Sequence, residues 1–317
     1  MSDKYSTNGI HTFEDVVAHL AQRQHQTHSL GRIGGFEWKL GLGKYTDTSF
    51  RSSLFCENDN SKVEVRIRYY LKVKNSNEIL QEKFKQETLT NLKHDEFATS
   101  KPIPLLEVLN LKNGWLNDEK CTVEYGIQVE SIQGDDGIRK FNFYEELFDS
   151  KQKQNMISFC QEKDSNNKRY LHCHKQILGH NCPHYSDNTS EHHPTLIPDH
   201  TAGFDDSEMC LQFAHGVRID VSTYVLFEMN RVAQSLYLTN ASYFIEEQII
   251  WKEYKDDLFI QLAIKDDLSR FLAVLLKKVT PENALKIIRS TFNEGDIDNA
   301  SMEIKKMIVA KVLYGRF

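Results

Sequence analysis

The stretch "KVEVRIRYYLKVKN", Lys62 to Asn75, alternates apolar and charged residues except at Tyr70. Val63, Val65, Ile67, Tyr69, Leu71 and Val73 fall on one face of an extended chain, and Glu64, Arg66, Arg68, Lys72 and Lys74 on the other. A period of two over this length predicts a strand with one face in a core and one in water. "GFEWKLGL" repeats the pattern with Phe36, Trp38, Leu40 and Leu42. "CTVEYGIQVE" does so again with Cys121, Val123, Tyr125, Ile127 and Val129. Turn-rich segments such as "CENDNS" and "LKNGWLNDE" separate them, so an antiparallel sandwich is expected, its charged faces solvated.

Past the middle of the chain the period becomes helical. Leu226, Met229, Val232, Ala233 and Leu236 form one stripe, and Ala241, Phe244, Ile245 and Ile249 form the next, with Asn240 as the expected cap between them. "TPENALKIIRS" reads as a helix start, with Thr280 as N-cap, Pro281 in the first turn and Glu282 near the positive end of the helix dipole. The terminal "NASMEIKKMIVAKVL" offers Met302, Met307, Ile308 and Leu313 for burial. The seam between the β and helical halves is placed at "SIQGDDGIRK", Ser131 to Lys140.

Composition narrows the function. The 317 residues carry 39 basic against 45 acidic side chains, a formal charge of −6, which leaves no basic excess for nucleic acid. No apolar run approaches the length of a membrane span, and the N-terminus shows no apolar leader, so an intracellular protein, cytoplasmic or nuclear, is expected. Six scattered cysteines form no CxxC pair, and reduced thiols are expected. The segment from His172 to His200 gathers seven of the thirteen histidines. His172, His174, Cys182 and His184 invite a zinc reading, but their spacing matches no finger or ribbon, so neither metal nor cofactor is expected. Cys182 with His184 or His215 would be the nucleophile pair of an enzyme. No oxyanion donors accompany them, and a non-enzyme is expected. Paired acids in "GDDG", "YKDDL" and "IKDDL" read as solvated turns. Trp38 reads as core, and Trp115 as either a recognition aromatic or an edge packer.

The first half resembles the MATH (meprin and TRAF homology) family. "IHTFEDVVAHL" resembles its opening strand, "GGFEWKLGL" its Trp-bearing strand, "KVEVRIRYYLKV" its central strand and "IPLLEVLNLKNGWLNDEKCTVEYGIQVESI" its closing segment. The match spans residues 8–133 and implies an eight-stranded, non-catalytic, peptide-binding sandwich. Residues 141–250 are similar to the BTB/POZ fold, an α/β domain. "LHCHKQILGHNCPHY" supplies His174, Lys175, Leu178 and Tyr185 at family core and dimer positions. "PTLIPD" resembles the third strand, "FDDSEMCLQFAHGVRIDV" the next helix and turn, and "YVLFEMNRVAQSLYLTNASYFIEEQII" the closing helix pair. Residues 251–317 form a helical extension. The expected fold is thus α+β and multidomain.

The two resemblances in this order imply a substrate adaptor of cullin-3 ubiquitin ligases, with the MATH groove holding substrate proteins and the BTB half forming a homodimer and docking cullin-3. A dimeric scaffold that recruits no ligase is the alternative. A TRAF-type trimer would want a coiled coil ahead of the sandwich, and the first 30 residues show no heptads. The resemblance also implies sites. Phe204, Glu208 and Met209 are expected to contact cullin. Asn155 stands where the family carries the aspartate that pairs with the base after the histidine, here Lys175. In "KHDEFATSK", Phe97 keeps an aromatic of the family's peptide slot while Asp95 replaces its tryptophan, and Tyr69 and Tyr70 are expected on the groove floor. The carboxylate of Asp95 is expected to favour peptides with a basic residue near their apolar anchor.

Overall fold

The computed structural model describes every residue except 1–3, 23, 58–59, 78–87, 94–95, 147–154, 165–166, 187–193, 198–202, 253–257, 292–299 and 316–317. It is an α+β protein with antiparallel sheets. The chain divides into two compact units, Met1–Gln154 and Asn155–Phe317.

The first unit contains the strands β1 (Ser6–Phe13), β2 (Gln26–Ile33), β3 (Phe36–Thr46), β4 (Ser49–Glu57), β5 (Glu64–Val73), β6 (Thr88–Leu92), β7 (Phe97–Thr99), β8 (Ile103–Pro104), β9 (Cys121–Gln133) and β10 (Arg139–Phe141). Two short helices, α1 (Val16–Ala21) and α2 (Leu105–Leu109), lie between strands. One sheet runs β1-β9-β5-β6, with β10 beside β9; the other runs β2-β3-β4-β7, with β8 beside β4. All their pairings are antiparallel. Inward residues of both sheets share one core, which includes Trp38, Leu40, Leu42, Phe50 and Leu54 from one and Val65, Ile67, Val123, Ile127 and Val129 from the other. Each such side chain contributes roughly 1.5–3 kcal/mol on burial, and the pair of sheets is a sandwich. Trp38 is fully buried, and its indole donates to the Ile33 carbonyl at 2.9 Å. Trp115 packs, half-buried, against the same core.

The expected wet face of β5 is only partly wet: Lys72 and Lys74 are exposed, but the middle of the face is covered. Tyr70 is 4 % exposed and lies across Gly126 of the paired strand, so closely that a Cβ there would stand 2.2 Å from its ring. The β5–β9 register skips Glu130, a bulge whose carboxylate accepts from Arg68 Nε at 2.9 Å and Nη2 at 2.6 Å. Gln128, Glu130 and Ser131 are all buried. The chain after β9 supplies the cover. Asn142 Nδ2 donates to the Val129 carbonyl at 2.8 Å, Gln128 Nε2 donates to the Glu146 carbonyl at 3.0 Å, and Phe143 is fully buried. The seam expected at 131–140 is therefore a hairpin inside the first unit, with Arg139–Phe141 paired to Gln133–Ser131. The sandwich continues past the expected boundary at 133, because β9 needs β10 and the segment after it to satisfy its backbone and cover its outer face.

In the second unit a hairpin of β11 (Met156–Asp164) and β12 (Asn167–His174) is joined by β13 (Thr195–Leu196), parallel to β11. Helices follow: α3 (Lys175–Asn181), with a 3-10 turn Pro183–Tyr185, then α4 (Phe204–Ala214), α5 (Thr223–Ser235), α6 (Thr239–Trp251), α7 (Leu258–Lys265), α8 (Ser269–Lys278), α9 (Pro281–Thr291) and α10 (Met302–Tyr314). The stripe Leu226, Met229, Val232, Ala233 and Leu236 is buried as expected, and so are Ala241, Ile245 and Ile249. Thr280 Oγ1 accepts from the Asn283 amide at 3.3 Å, as an N-cap does.

Two expectations fail here. Asn240 is not the cap of α6. It lies inside the first turn, and its amide donates to the Ala214 carbonyl at 3.0 Å, closing the end of α4 instead. Met302 and Leu313 are exposed, because α10 packs through Ile304, Ile308 and Lys311. Among the described residues no helix is long and apolar enough to cross a membrane.

Candidate functional site

Strand β7 ends the sheet β2-β3-β4-β7, and among the described residues no further strand pairs with its outer edge. Ala98 faces the core, while Phe97 sits directly opposite Phe55 on the outer face. The Ser100 amide donates to Ser52 of β4 at 2.9 Å, and the Thr99 carbonyl instead accepts from the Tyr69 hydroxyl at 3.3 Å. By antiparallel alternation, the backbone of Phe97 points the way of Thr99, away from β4. An exposed ring and a strand edge unpaired among the described residues thus coincide at residue 97, which is 50 % exposed.

The same face carries a stacked cation. The β3–β4 hairpin brings Tyr45 and Arg51 together across its turn, with the Arg51 guanidinium carbon 3.3 Å from the Tyr45 ring centroid and 5.1 Å from that of Phe97. Ser53 and Phe55 complete the row on β4, leaning over Gly41, which has space for no side chain. Tyr45 is 55 % exposed. Of the expected groove residues, Phe97 lies on this face. Tyr69 reaches β7 from the other sheet and holds it by its hydroxyl. Tyr70 is buried on the opposite side of that other sheet and cannot floor a groove here. Asp95 lies outside the described residues. Arg51 and Tyr45 were missed: Gly43 is the residue opposite Arg51, and Tyr45 reaches the guanidinium because it is the extra residue of a register shift between Lys44 and Thr46, which the sequence does not announce.

In the second unit the expected positions converge at the end of the hairpin. The Lys175 amide donates to the Asn155 carbonyl at 2.6 Å. His174 is the residue before the first turn of α3, and Leu178 is fully buried. The Tyr185 hydroxyl donates to the Leu236 carbonyl at 2.6 Å and its ring meets Phe159 edge-on, while burial raises its pKa well above the usual phenol range. Of the three expected cullin contacts, Glu208 and Met209 are half-buried on α4. Phe204 is only 4 % exposed, beneath the Arg169 guanidinium at 3.7 Å, so it presents little surface to a partner.

The histidine-rich segment disperses. His172 Nδ1 lies 2.8 Å from Ser158 Oγ, Cys182 donates to Asn240 Oδ1 at 2.9 Å, and His184 stacks on Tyr237 at 4.3 Å. His192, His193 and His200 lie outside the described residues. Among the described residues no three of His, Cys, Asp and Glu gather to hold a metal. Burial pushes the Cys182 thiol up, and burial likewise lowers His215 to about 4. Neither shift favours a thiolate–imidazolium pair. No protein-family model matches the chain, and no curated protein matches it significantly.

Proposed function

We propose that the protein is a non-catalytic adaptor of the MATH–BTB kind. Its sandwich holds an extended segment of a substrate protein along β7, and its second unit forms a homodimer and docks the N-terminal region of cullin-3. The observation that carries the first part is the coincidence of the exposed Phe97 ring with the outward-pointing backbone of an edge strand. Strand addition supplies main-chain hydrogen bonds, and an adjacent aromatic supplies selection. The two packed antiparallel sheets support the sandwich reading, although each has five strands rather than four, β10 being added beside β9 and β8 beside β4. The hairpin, the α3 helix, the short parallel β13 and the α5–α6 pair support the BTB reading of the second unit. Held near a ligase, a substrate lysine is ubiquitinated through raised effective concentration, with no chemistry from the adaptor.

The burial of Phe204 favours a second reading, a dimeric peptide-binding scaffold that recruits no ligase. Calorimetric titration of the full chain with the cullin-3 N-terminal region separates the two. Saturable heat at micromolar concentration supports the adaptor, and none at tens of micromolar leaves the scaffold. For the peptide site, a peptide array probed with the full chain and with Phe97→Ala tests the assignment; signals that survive the substitution place the groove elsewhere.

A further inference from the structure

We infer that the β7 face selects peptides carrying a carboxylate near their apolar anchor, with Arg51 as the residue that reads it; this rests on the peptide-binding reading above. The guanidinium carbon lies 3.3 Å from the Tyr45 ring centroid and 5.1 Å from that of Phe97, and Arg51 is half-buried. Stacking of this kind fixes the plane of an arginine while leaving its edge donors free to fork onto a carboxylate. Among the described residues no ion pair includes Arg51. Lys39, opposite Phe55 and so in the same cross-strand row as Phe97, is already paired with Glu57. Glu37 stands opposite Glu57 on this face, so the positive charge is local: the Arg51 guanidinium carbon, 5.1 Å from the Phe97 ring centroid, sits by the exposed aromatic anchor. An acidic segment complements it, and a basic one is repelled. This preference is the opposite of the one expected from Asp95, which lies outside the described residues, and it rests on the placement of Arg51 5.1 Å from the Phe97 ring centroid.

Arg51 lies on β4, two strand positions from Ser53, and Ser53 opposes Thr99. The Arg51 backbone lies four positions from Phe55, the residue opposite Phe97, but its guanidinium reaches back to 5.1 Å from the Phe97 ring, so a strand added along the outer edge of β7 meets it between its anchor and about the fourth residue on. Ser53, on the same face, offers a hydroxyl for hydrogen bonding within that span.

The test uses the full chain and fluorescein-labelled nine-residue peptides with a central Leu anchor. Glu, Gln or Lys is placed at each position one to four residues from the anchor, and anisotropy is read at 50 and 300 mM NaCl. A Glu peptide is expected to bind about tenfold tighter than its Gln isostere at low salt, with the Lys peptide weakest; the gap narrows at high salt. Arg51→Gln should erase the Glu/Gln ratio, with most of the loss falling on the Glu peptide, while an unchanged urea midpoint of the variant shows that the sandwich is intact. Asp95→Asn should leave the ratio in place. Equal binding of Glu and Gln peptides, a preference for Lys, or a ratio that survives Arg51→Gln overturns the inference while leaving a peptide site that Phe97→Ala abolishes. Absence of binding by all peptides overturns the peptide-binding reading and this inference together.

Discussion

The amide of Lys175 donates to the carbonyl of Asn155 at 2.6 Å, so the residue that precedes β11 and the first residue of α3 are locked to one another through the backbone. These are the two positions at which an acid and a base are expected to meet in the dimer pocket. Here the base is present and the acid is an amide. Light scattering on the full chain is expected to give about twice the 36.9 kDa chain mass. Asn155→Asp places a carboxylate at a position already fixed beside Lys175, and the dimer should then withstand greater dilution. A monomer for both proteins would argue against dimerisation through this unit.

Glu130 and Arg68 form a buried pair, with their side chains 8 % and 11 % exposed. Removing the acid alone takes from the guanidinium the carboxylate that accepts two of its hydrogen bonds, in a covered sheet face. Glu130→Ala is expected to destabilise the first unit by about 3 kcal/mol, read as a lower midpoint in urea. A shift below a few tenths of this would show that water reaches the pair.

Gly126 holds the space that the Tyr70 ring occupies. Gly126→Ala should cost about 1–3 kcal/mol through overpacking. Tyr70→Val removes the ring that clashes, so the double variant should lose less than the sum of the two single variants. Simple additivity in that cycle would mean the ring does not press on residue 126.

His215 is buried with its Nδ1–H donated to the Leu211 carbonyl at 2.8 Å, and desolvation, aided by the nearby charge of His174, lowers its pKa to about 4 from 6.5. The folded state thus prefers the neutral ring. Its contribution is intact above pH 6.5 and is lost as pH falls from there toward 4, because the unfolded chain binds the proton first. The loss is on the order of 3 kcal/mol across that window. Urea midpoints of the second unit between pH 7 and 4.5 should fall accordingly, and His215→Gln should flatten the slope. An NMR titration placing His215 near 6.5 would contradict this.

Much of the sandwich could be read in advance because a strand with one buried face records that burial in its own alternation, as Val65, Ile67 and Val73 do. The cover over the other face left no such mark. Arg68 and Glu130 look solvated in sequence, and only the return of the chain at Asn142–Glu146, well away from Arg68, encloses them. Tyr70 was assigned to the groove for the same reason. Helix faces were legible where the stripe was long, as from Leu226 to Leu236. They failed at Met302 and Leu313, where the apolar residues outnumber those that one neighbouring surface can bury. At the candidate site Phe97 was found by resemblance. Arg51 was passed over because a charge on a strand ordinarily reads as solvent-facing, and its ring partner lies across a turn.

The strap that covers β9 also closes a circle. The Tyr5 amide donates to Glu145 Oε1 at 3.1 Å, and the rings of Tyr5 and Tyr144 stack at 5.6 Å. The sandwich therefore begins and finishes at the same place on its surface. Joining its two ends needs only a short linker and little loop-closure entropy. Such a unit is transplantable: it can be spliced into a surface loop of an unrelated host, or permuted to start at another turn, without pulling its sheets apart. A graft cut at Gln133 would lose this property, since it discards the strand and the strap that bring the ends together.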